Sequence, residues 1–387
     1  MNSETGAPMR VLIAGGGVAG LEALLALRDL AGTRVSLTLL SPGREFTYRP
    51  MATAVPFARG HMQRLDLADV ARETGAEFVR GTLAEVDAGA REAVLSDGRR
   101  LGYDALLVAV GAASEPAYGR VRTWTPEQDR DVFGGLLADL EEGYAKRVAF
   151  VVPPRVAWPL PAYELALMTA WDARDMGQDD VQVEVRTPEA APLAMFGEEA
   201  SASLREDLDE AGVTVRTGRH DSVGTPGTRV IALPRAAARR IAGLPRDEHG
   251  FVPVDRHGRV EGLSAVWAAG DCTAFPIKQG GIAAQQADAA AASIAGWAGA
   301  AVAPVPFSPV LRGVLLTGRG RRWIRRSLET AADHGETSRR ALWWPPTKVA
   351  GRHLSPYLAM HAHGRLPGDE RPAGRFVEFP VPVGGPS

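Results

Sequence analysis

Three glycines near the start of the chain have the spacing of a phosphate-binding loop. They are Gly15, Gly17 and Gly20 in RVLIAGGGVAG, with Val18 and Ala19 between the last two. Gly15 permits a tight turn, Gly17 lets the backbone approach a pyrophosphate, and Gly20 lets a helix pack closely on a strand. A helix N-terminus adds free N–H groups for the phosphates. The spacing therefore predicts a dinucleotide site.

A second group of residues with this kind of chemistry lies far along the chain, in AVWAAGDCT at 265–273. An apolar strand ends there in Gly270-Asp271, and the Ala-rich, helix-favouring run PIKQGGIAAQQADAAAASIAG follows. The Asp271 carboxylate can accept hydrogen bonds from ribityl hydroxyls, and the helix N-terminus can face the C2 edge of an isoalloxazine. A third apolar strand, in YDALLVAVGA, ends at Gly111. These features predict FAD as the cofactor.

The first glycine loop lies in a complete β-α-β unit. The strand VLIA enters the loop, the helix LEALLALRDLAG ends near Gly32, and the strand VSLTLLSP follows. Ser41 ends that second strand, where an acidic residue usually holds a ribose. A hydroxyl binds a ribose more weakly than a carboxylate does, which disfavours NAD at this site and leaves FAD acceptable.

A second β-α-β unit spans about residues 146–217, with strands KRVAFVV, DVQVEVRT and GVTVRTG and helices at 160–176 and 198–211. Its first loop contains no glycine, and proline supplies no N–H and stiffens the chain. Losing two charge-assisted hydrogen bonds, at ~1.5–3 kcal/mol each, weakens binding by roughly 10²–10⁴-fold. We therefore expect this unit not to bind NAD(P)H. The prolines are Pro153, Pro154, Pro159 and Pro161.

These motifs together resemble the two-dinucleotide-domain flavoproteins of the pyridine nucleotide-disulfide oxidoreductase superfamily. FTYRPM at 46–51 and FPIKQGG are similar to segments of sulfide:quinone reductases and type II NADH dehydrogenases. The Pro-rich loop followed by Ala162-Tyr163-Glu164 is similar to flavocytochrome c sulfide dehydrogenases. The resemblance implies an α/β fold with two Rossmann-like domains and a C-terminal segment that closes the flavin pocket.

The resemblance also implies boundaries for these parts of the chain. They are an FAD-binding domain at 8–113 and 246–305, a degenerate NAD-binding-like domain at 114–245, a C-terminal segment at 306–364, and a loosely ordered tail at 365–387.

The residues expected to bind FAD follow from the same motifs. Lys278 is expected near the flavin N1–C2 edge, where its charge would tune the reduced flavin, although an ordinary solvated lysine is the alternative. Arg49 would lie over the flavin or pyrophosphate, or form a surface salt bridge. The expected cofactor residues are Gly15, Gly17, Val18, Ala19, Gly20, Ser41, Arg49, Pro50, Gly111, Gly270, Asp271, Lys278, Gln279 and Gly280.

Two further groups have both a functional and a structural interpretation. Gln279, Gln285 and Gln286 would contact flavin or a quinone head group, or form polar surface. The segment WWPPTKVAGRHLSPYLA resembles the one that closes the flavin pocket in sulfide:quinone reductases. Its tryptophans would stack on an apolar substrate or pack internally. The residues singled out there are Trp343, Trp344, Pro345, Pro346, Lys348 and His353.

The relatives that oxidise sulfide or reduce disulfides use two thiols. This chain has one cysteine, Cys272, which we expect to be a buried packing residue. The sequence therefore predicts an FAD-dependent oxidoreductase without a cysteine relay. It would pass two electrons from a small-molecule donor to a quinone, another carrier or oxygen. The alternatives are an NAD(P)H:quinone oxidoreductase and a flavin-binding module without turnover.

Composition limits the setting of this chemistry. The formal net charge of −2 argues against a nucleic-acid partner, and a single cysteine permits no internal disulfide. The N-terminus lacks the apolar run of a signal peptide, and no apolar run approaches a membrane span. His361 and His363 show no metal-ligand spacing with carboxylates, so no metal is expected. These features predict a cytoplasmic monomer or homodimer.

A basic segment leaves peripheral membrane contact open. GRGRRWIRRSL at 318–328 places Trp323 and Ile324 between arginines. Such a segment would lie on an anionic membrane surface, or form a surface helix that packs its apolar side inward.

Overall fold

The computed structural model describes residues 7–126, 129–218, 226–329, 335–362 and 375–379. Within these ranges the strands are Met9–Ala14 (β1), Val35–Ser41 (β2), Glu45–Thr47 (β3), Arg64–Asp66 (β4), Glu77–Arg80 (β5), Leu83–Asp87 (β6), Glu92–Leu95 (β7), Arg100–Gly102 (β8), Ala105–Val108 (β9), Ala112–Glu115 (β10), Arg122–Thr123 (β11), Arg147–Val151 (β12), Gln182–Thr187 (β13), Val213–Thr217 (β14), Arg229–Ala232 (β15), Arg235–Ala238 (β16), Val266–Ala268 (β17), Val310–Leu316 (β18), Arg321–Ser327 (β19), Glu336–Ser338 (β20), Trp343–Trp344 (β21) and Val377–Glu378 (β22). The α-helices are Val18–Ala31 (α1), Leu67–Glu73 (α2), Asp129–Glu141 (α3), Leu160–Asp175 (α4), Glu198–Glu210 (α5), Gly280–Trp297 (α6) and Leu354–Met360 (α7). Short 3₁₀ helices lie at Gly32–Arg34, Arg49–Ala54 and Ala194–Phe196.

The first glycine loop belongs to a five-stranded parallel sheet of order β17-β9-β1-β2-β5. Strand β9 and residues 11–14 of β1 are apolar and buried, as expected of parallel strands that are covered on both faces. Helices α1 and α6 pack against each other beside this sheet, burying Leu24 and Ile294 among other side chains. Strand β17 returns from the far end of the chain, so this sheet is built from two separated segments.

The proline loop belongs to a second five-stranded parallel sheet, of order β11-β15-β12-β13-β14. The predicted helix at 160–176 is α4, and its Leu165, Ala166 and Met168 are buried in the same core as Phe150 of β12. The antiparallel pair β10-β16 connects the two sheets. Two parallel α/β sheets confirm the predicted fold class.

A third sheet, β18-β19-β20, corrects one expectation. The basic segment at 318–328 is not a surface helix, because β19 pairs antiparallel with β18 through most of its length. Trp323 and Ile324 are buried, and Arg322 makes a buried bidentate ion pair with Asp207 of α5 at 2.6 and 2.7 Å. The apolar side chains of this segment are therefore part of the core and not available to a membrane surface.

The chain end is described only in part. Residues 375–379 include β22, which pairs with β21, and its Glu378 accepts hydrogen bonds from Arg312 and Arg325. His363 and the rest of the predicted tail lie outside the described residues. In the part of the chain that the structure describes, no helix is both long enough and apolar enough to span a bilayer.

Candidate cofactor site between the two sheets

The glycine loop has the geometry that its spacing predicts. Gly15 has a φ of 133°, and a side chain there would strike the Ala109 carbonyl. A side chain at Gly20 would strike the Gly15 carbonyl, so this glycine serves helix–strand packing. A Cβ on Gly17 would meet nothing within 4 Å. Gly17 therefore leaves open space at the N-terminus of α1, where the first N–H groups have no helical partner.

A cavity of about 950 Å³ begins at this loop and extends between the two sheets. Every residue expected to bind FAD lines this cavity except Gly20, which lies behind the loop. Ser41 lies beside Gly16 at the same end of the cavity. Residues from four separate stretches of the chain thus form one elongated site, and the open face of Gly17 fits a pyrophosphate.

Asp271 and Lys278 are two charged residues on the first-domain wall of the cavity. Burial raises the pKa of Asp271 from its ordinary value of 3.8 to about 6, against the opposing effect of Lys278. Hydroxyl donors from a ligand would stabilise the ionised carboxylate, which fits the predicted contact with ribityl hydroxyls. Burial lowers the pKa of Lys278. Its ammonium donates to the Thr273 carbonyl and lies 3.8 Å from the Phe251 ring centroid.

The three glutamines have structural partners. Gln279 caps α6, accepting from the Ile282 N–H at 2.8 Å and donating to the Arg312 carbonyl at 3.0 Å. The Gln286 side chain accepts from the Gly270 N–H at 2.8 Å, and the Gln285 side chain bonds the backbone of β18. Gln279 lines the cavity, whereas Gln285 and Gln286 do not. The latter two hold the Gly-Asp turn and β18 in place.

A buried ion pair forms part of the opposite wall. Lys348 Nζ lies 2.6 and 2.8 Å from the two carboxylate oxygens of Glu164 on α4. The same carboxylate accepts from Thr53 Oγ1 at 2.8 Å and from the Leu316 N–H at 2.9 Å. Burial lowers the pKa of Lys348, while Glu164 opposes that shift. Sequence reasoning did not select Glu164 as a site residue, although a glutamate within the apolar run ELALMTAW was a usable signal.

The second β-α-β unit lacks a comparable phosphate cradle. Pro159 is the N-cap of α4 and Pro161 lies in its first turn, so the helix start offers fewer N–H donors. Thr187 ends β13 at the position that Ser41 occupies in the first unit, where an acidic residue usually holds a ribose, and Glu189 lies two residues further along the chain. Its carboxylate accepts from Tyr163 Oη at 2.6 Å and from Thr187 Oγ1 at 2.9 Å. The Glu189 carboxylate is thus hydrogen-bonded to two neighbouring side chains of the same chain.

The C-terminal segment closes the cavity through fewer residues than expected. Lys348 and Val349 line it, and Val349 packs against Gly280 at the start of α6. Trp343 is buried against Trp323, with ring centroids 4.6 Å apart, which agrees with the packing alternative. The cavity lining does not include Trp344, Pro345, Pro346 or His353.

Cys272 is an inert side chain in this structure. It is buried next to Asp271 and donates to the Val108 and Ala269 carbonyls. Burial raises the pKa of the thiol to about 11, so the reactive thiolate is scarce near neutral pH.

Comparisons with known proteins agree with this geometry. Residues 9–126 match the family described as pyridine nucleotide-disulphide oxidoreductase. This confirms the superfamily resemblance and supports the prediction of a flavin-dependent oxidoreductase. The match covers the glycine loop, Ser41 and Gly111.

Solved structures share the fold over most of the chain. The sulfide:quinone oxidoreductase of Aquifex aeolicus is 17% identical, with a TM-score of 0.74 and coverage of 86% of this chain and 87% of that one. A ferredoxin reductase of Rhodopseudomonas palustris is 18% identical, with a TM-score of 0.61 and 82% coverage of both chains. NDH2 of Plasmodium falciparum, solved with NADH, is 16% identical, with a TM-score of 0.54 and coverage of 68% and 64%. At such identities the likeness shows the fold alone.

Proposed function

We propose that this chain is an FAD-dependent oxidoreductase that passes two electrons from a small-molecule donor to a quinone, another carrier or oxygen, without a cysteine relay. One observation supports this most directly. A single cavity joins the glycine loop, Asp271 and the start of α6 to the buried Glu164–Lys348 pair on the opposite wall. FAD, when bound, supplies the exchange of two electrons with each substrate.

The first-domain residues would hold the cofactor. The N-terminus of α1 and the open face of Gly17 would hold the pyrophosphate, because unpaired N–H groups favour anions there. Asp271 would accept from the ribityl hydroxyls. Lys278, anchored on Thr273 and Phe251, would place its positive charge beside the flavin ring.

The Glu164–Lys348 pair on the cavity wall would supply a proton for the reduction of a substrate. A quinone that gains two electrons also gains two protons. One of them would arrive together with the electron pair, as a hydride from reduced FAD, so that one further proton is needed from the protein. The Lys348 ammonium is a proton donor whose pKa is lowered by burial, and the Glu164 carboxylate keeps it at the cavity wall. Thr53 and the Leu316 N–H fix the orientation of that carboxylate. The pair would therefore deliver a proton to a substrate oxygen within the cavity.

Nicotinamide coenzymes are not the proposed donor. The helix that should meet their pyrophosphate begins with prolines, and β13 ends in Thr187 where an acidic residue usually holds the ribose. We further propose that the protein acts in the cytoplasm as a monomer or homodimer, with membrane contact limited to its periphery. We also propose an FAD-binding domain at 8–113 and 246–305, a degenerate NAD-binding-like domain at 114–245, a C-terminal segment at 306–364 and a tail at 365–387.

The test uses the purified protein loaded with FAD under anaerobic conditions. We expect no bleaching of the flavin band by NADH or NADPH, and prompt reoxidation of the photoreduced protein by menadione or oxygen. Prompt bleaching by either coenzyme would favour the NAD(P)H:quinone oxidoreductase. Photoreduced protein that neither acceptor reoxidises would favour a flavin-binding module without turnover.

A further inference from the structure

Trp158 lines the cavity from the proline loop. It is half-buried, whereas Trp124, the other tryptophan in the cavity lining, is 6% exposed. Trp158 therefore presents more of its ring. Leu160 and Pro161 continue the same apolar wall at the start of α4. The second domain thus offers an aromatic and apolar surface where a glycine loop would offer N–H groups.

The position of this ring is set by rigid neighbours. Its indole packs edge-on against Phe196, with centroids 5.7 Å apart and an interplanar angle of 65°. Pro159 follows it directly and caps α4. Earlier in the loop, Arg155 has a φ of 60° and Val156 N–H donates to the Pro153 carbonyl. Because proline rings restrict the backbone, the loop holds the indole in place before any ligand binds.

We propose that Trp158 determines substrate specificity by forming the cavity wall opposite the flavin ring. A substrate entering between them is planar and conjugated, because it stacks on the indole. This inference rests on the proposed function, since it requires FAD in the cavity.

The direct test is time-resolved fluorescence of bound FAD. An indole close to an excited flavin quenches it by electron transfer. We expect Trp158→Phe to lengthen the mean flavin lifetime several-fold while the melting temperature stays near that of the wild type. Trp297→Phe is the matched control, because Trp297 is 42% exposed at the end of α6, packs on Trp267 and does not line the cavity. We expect this control to keep the wild-type lifetime.

A second measurement tests the substrate. We expect Trp158→Ala to lower several-fold the ratio of the rate constants with which menadione and ferricyanide reoxidise the photoreduced protein. Menadione is planar and would stack, whereas octahedral ferricyanide would not. Trp297→Phe should leave the ratio unchanged.

The outcomes separate the two proposals. If the purified protein does not bind FAD, both the proposed function and this inference are overturned. Protein that binds FAD but shows an unchanged lifetime in Trp158→Phe overturns the inference alone. An unchanged rate ratio in Trp158→Ala also overturns it.

Discussion

The two β-α-β units of this chain share a frame and differ at the loop that would meet a ligand. In the first unit, residues 15–17 separate β1 from α1, and all three are glycine. In the second unit, residues 152–159 separate β12 from α4 and include three prolines. Sheet order around the central strands and helix placement are alike. The comparison teaches that packing maintains the same frame in both units, while the two loops differ in the N–H groups that they could offer to a phosphate.

The helices that follow the two loops carry a second correspondence. Glu22 and Glu164 each stand at the fifth position of their helix and are buried. Both receive hydrogen bonds from the C-terminal part of the chain. Glu22 accepts from the His353 and Leu354 N–H groups at 2.7 and 2.9 Å, while Glu164 pairs with Lys348. The same helix position thus ties each domain to the segment that closes the cavity.

The largest expected effect comes from adding a side chain to the first loop, which should remove its capacity to bind a pyrophosphate. We expect Gly17→Val to lower FAD affinity by roughly 10²–10⁴-fold, because its side chain enters the pyrophosphate space and costs two charge-assisted hydrogen bonds. Titration of the apo protein with FAD measures this. Pro154→Ala, in the exposed part of the second loop, should leave the affinity unchanged. An equal loss in both variants would contradict separate roles for the loops.

The next largest effect is expected from the buried ion pair between Glu164 of α4 and Lys348. We expect Lys348→Met to lower the free energy of unfolding by about 3–5 kcal/mol, because it leaves the Glu164 carboxylate buried without its cation. Urea denaturation measures this, and the added substitution Glu164→Gln should recover part of the loss. Lys146→Met is the control, since its ion pair with Asp180 is exposed and its loss should cost under about 1 kcal/mol.

The first domain's own buried charge predicts a pH dependence. The pKa of Asp271 in the folded protein is raised from 3.8 to about 6. The free energy of unfolding is therefore highest below pH 3.8, where Asp271 is protonated in both states, and it falls as the pH rises through about 6. Above about pH 6 the free energy of unfolding of the apo protein is therefore about 3 kcal/mol lower than below pH 3.8. We expect Asp271→Asn to raise the melting temperature of the apo protein at pH 8 and not at pH 4, while weakening FAD binding. A gain of equal size at both pH values would refute the assignment.

The smallest expected effect concerns the hydrogen bond between Tyr163 and Glu189 in the second β-α-β unit. Tyr163→Phe removes the 2.6 Å hydrogen bond to Glu189 and should cost about 1 kcal/mol of stability. It should still give no bleaching of the flavin by NADH, because the prolines before α4 remain. Bleaching in this variant would show that one hydrogen bond, and not the loop, closes the cleft to coenzyme. Thr187→Val, which removes the other donor to Glu189, is the matched comparison.

The errors of sequence reasoning have a common physical origin. The segment at 318–328 was expected to be a helix or a membrane contact, yet it is β19, buried between α5 and the C-terminal tryptophans. A strand covered on both faces shows no alternation of polar and apolar residues, so its pattern is not diagnostic. The sequence left Gln285 either as a contact to flavin or a quinone head group or as polar surface, and the structure shows neither. The partner of Gln285 on β18 lies 25 residues away in the chain.

Local sequence by itself determined the two β-α-β frames, the glycine loop and the proline-rich loop that replaces glycine in the second unit. These features depend on the φ angles that glycine permits and on the N–H that proline lacks, which are properties of a few adjacent residues. Only the tertiary structure brought Glu164 to Lys348 across 184 positions and placed both on the wall of the cavity that begins at the glycine loop. Contacts of that kind depend on how separate elements pack, and no short pattern encodes the packing.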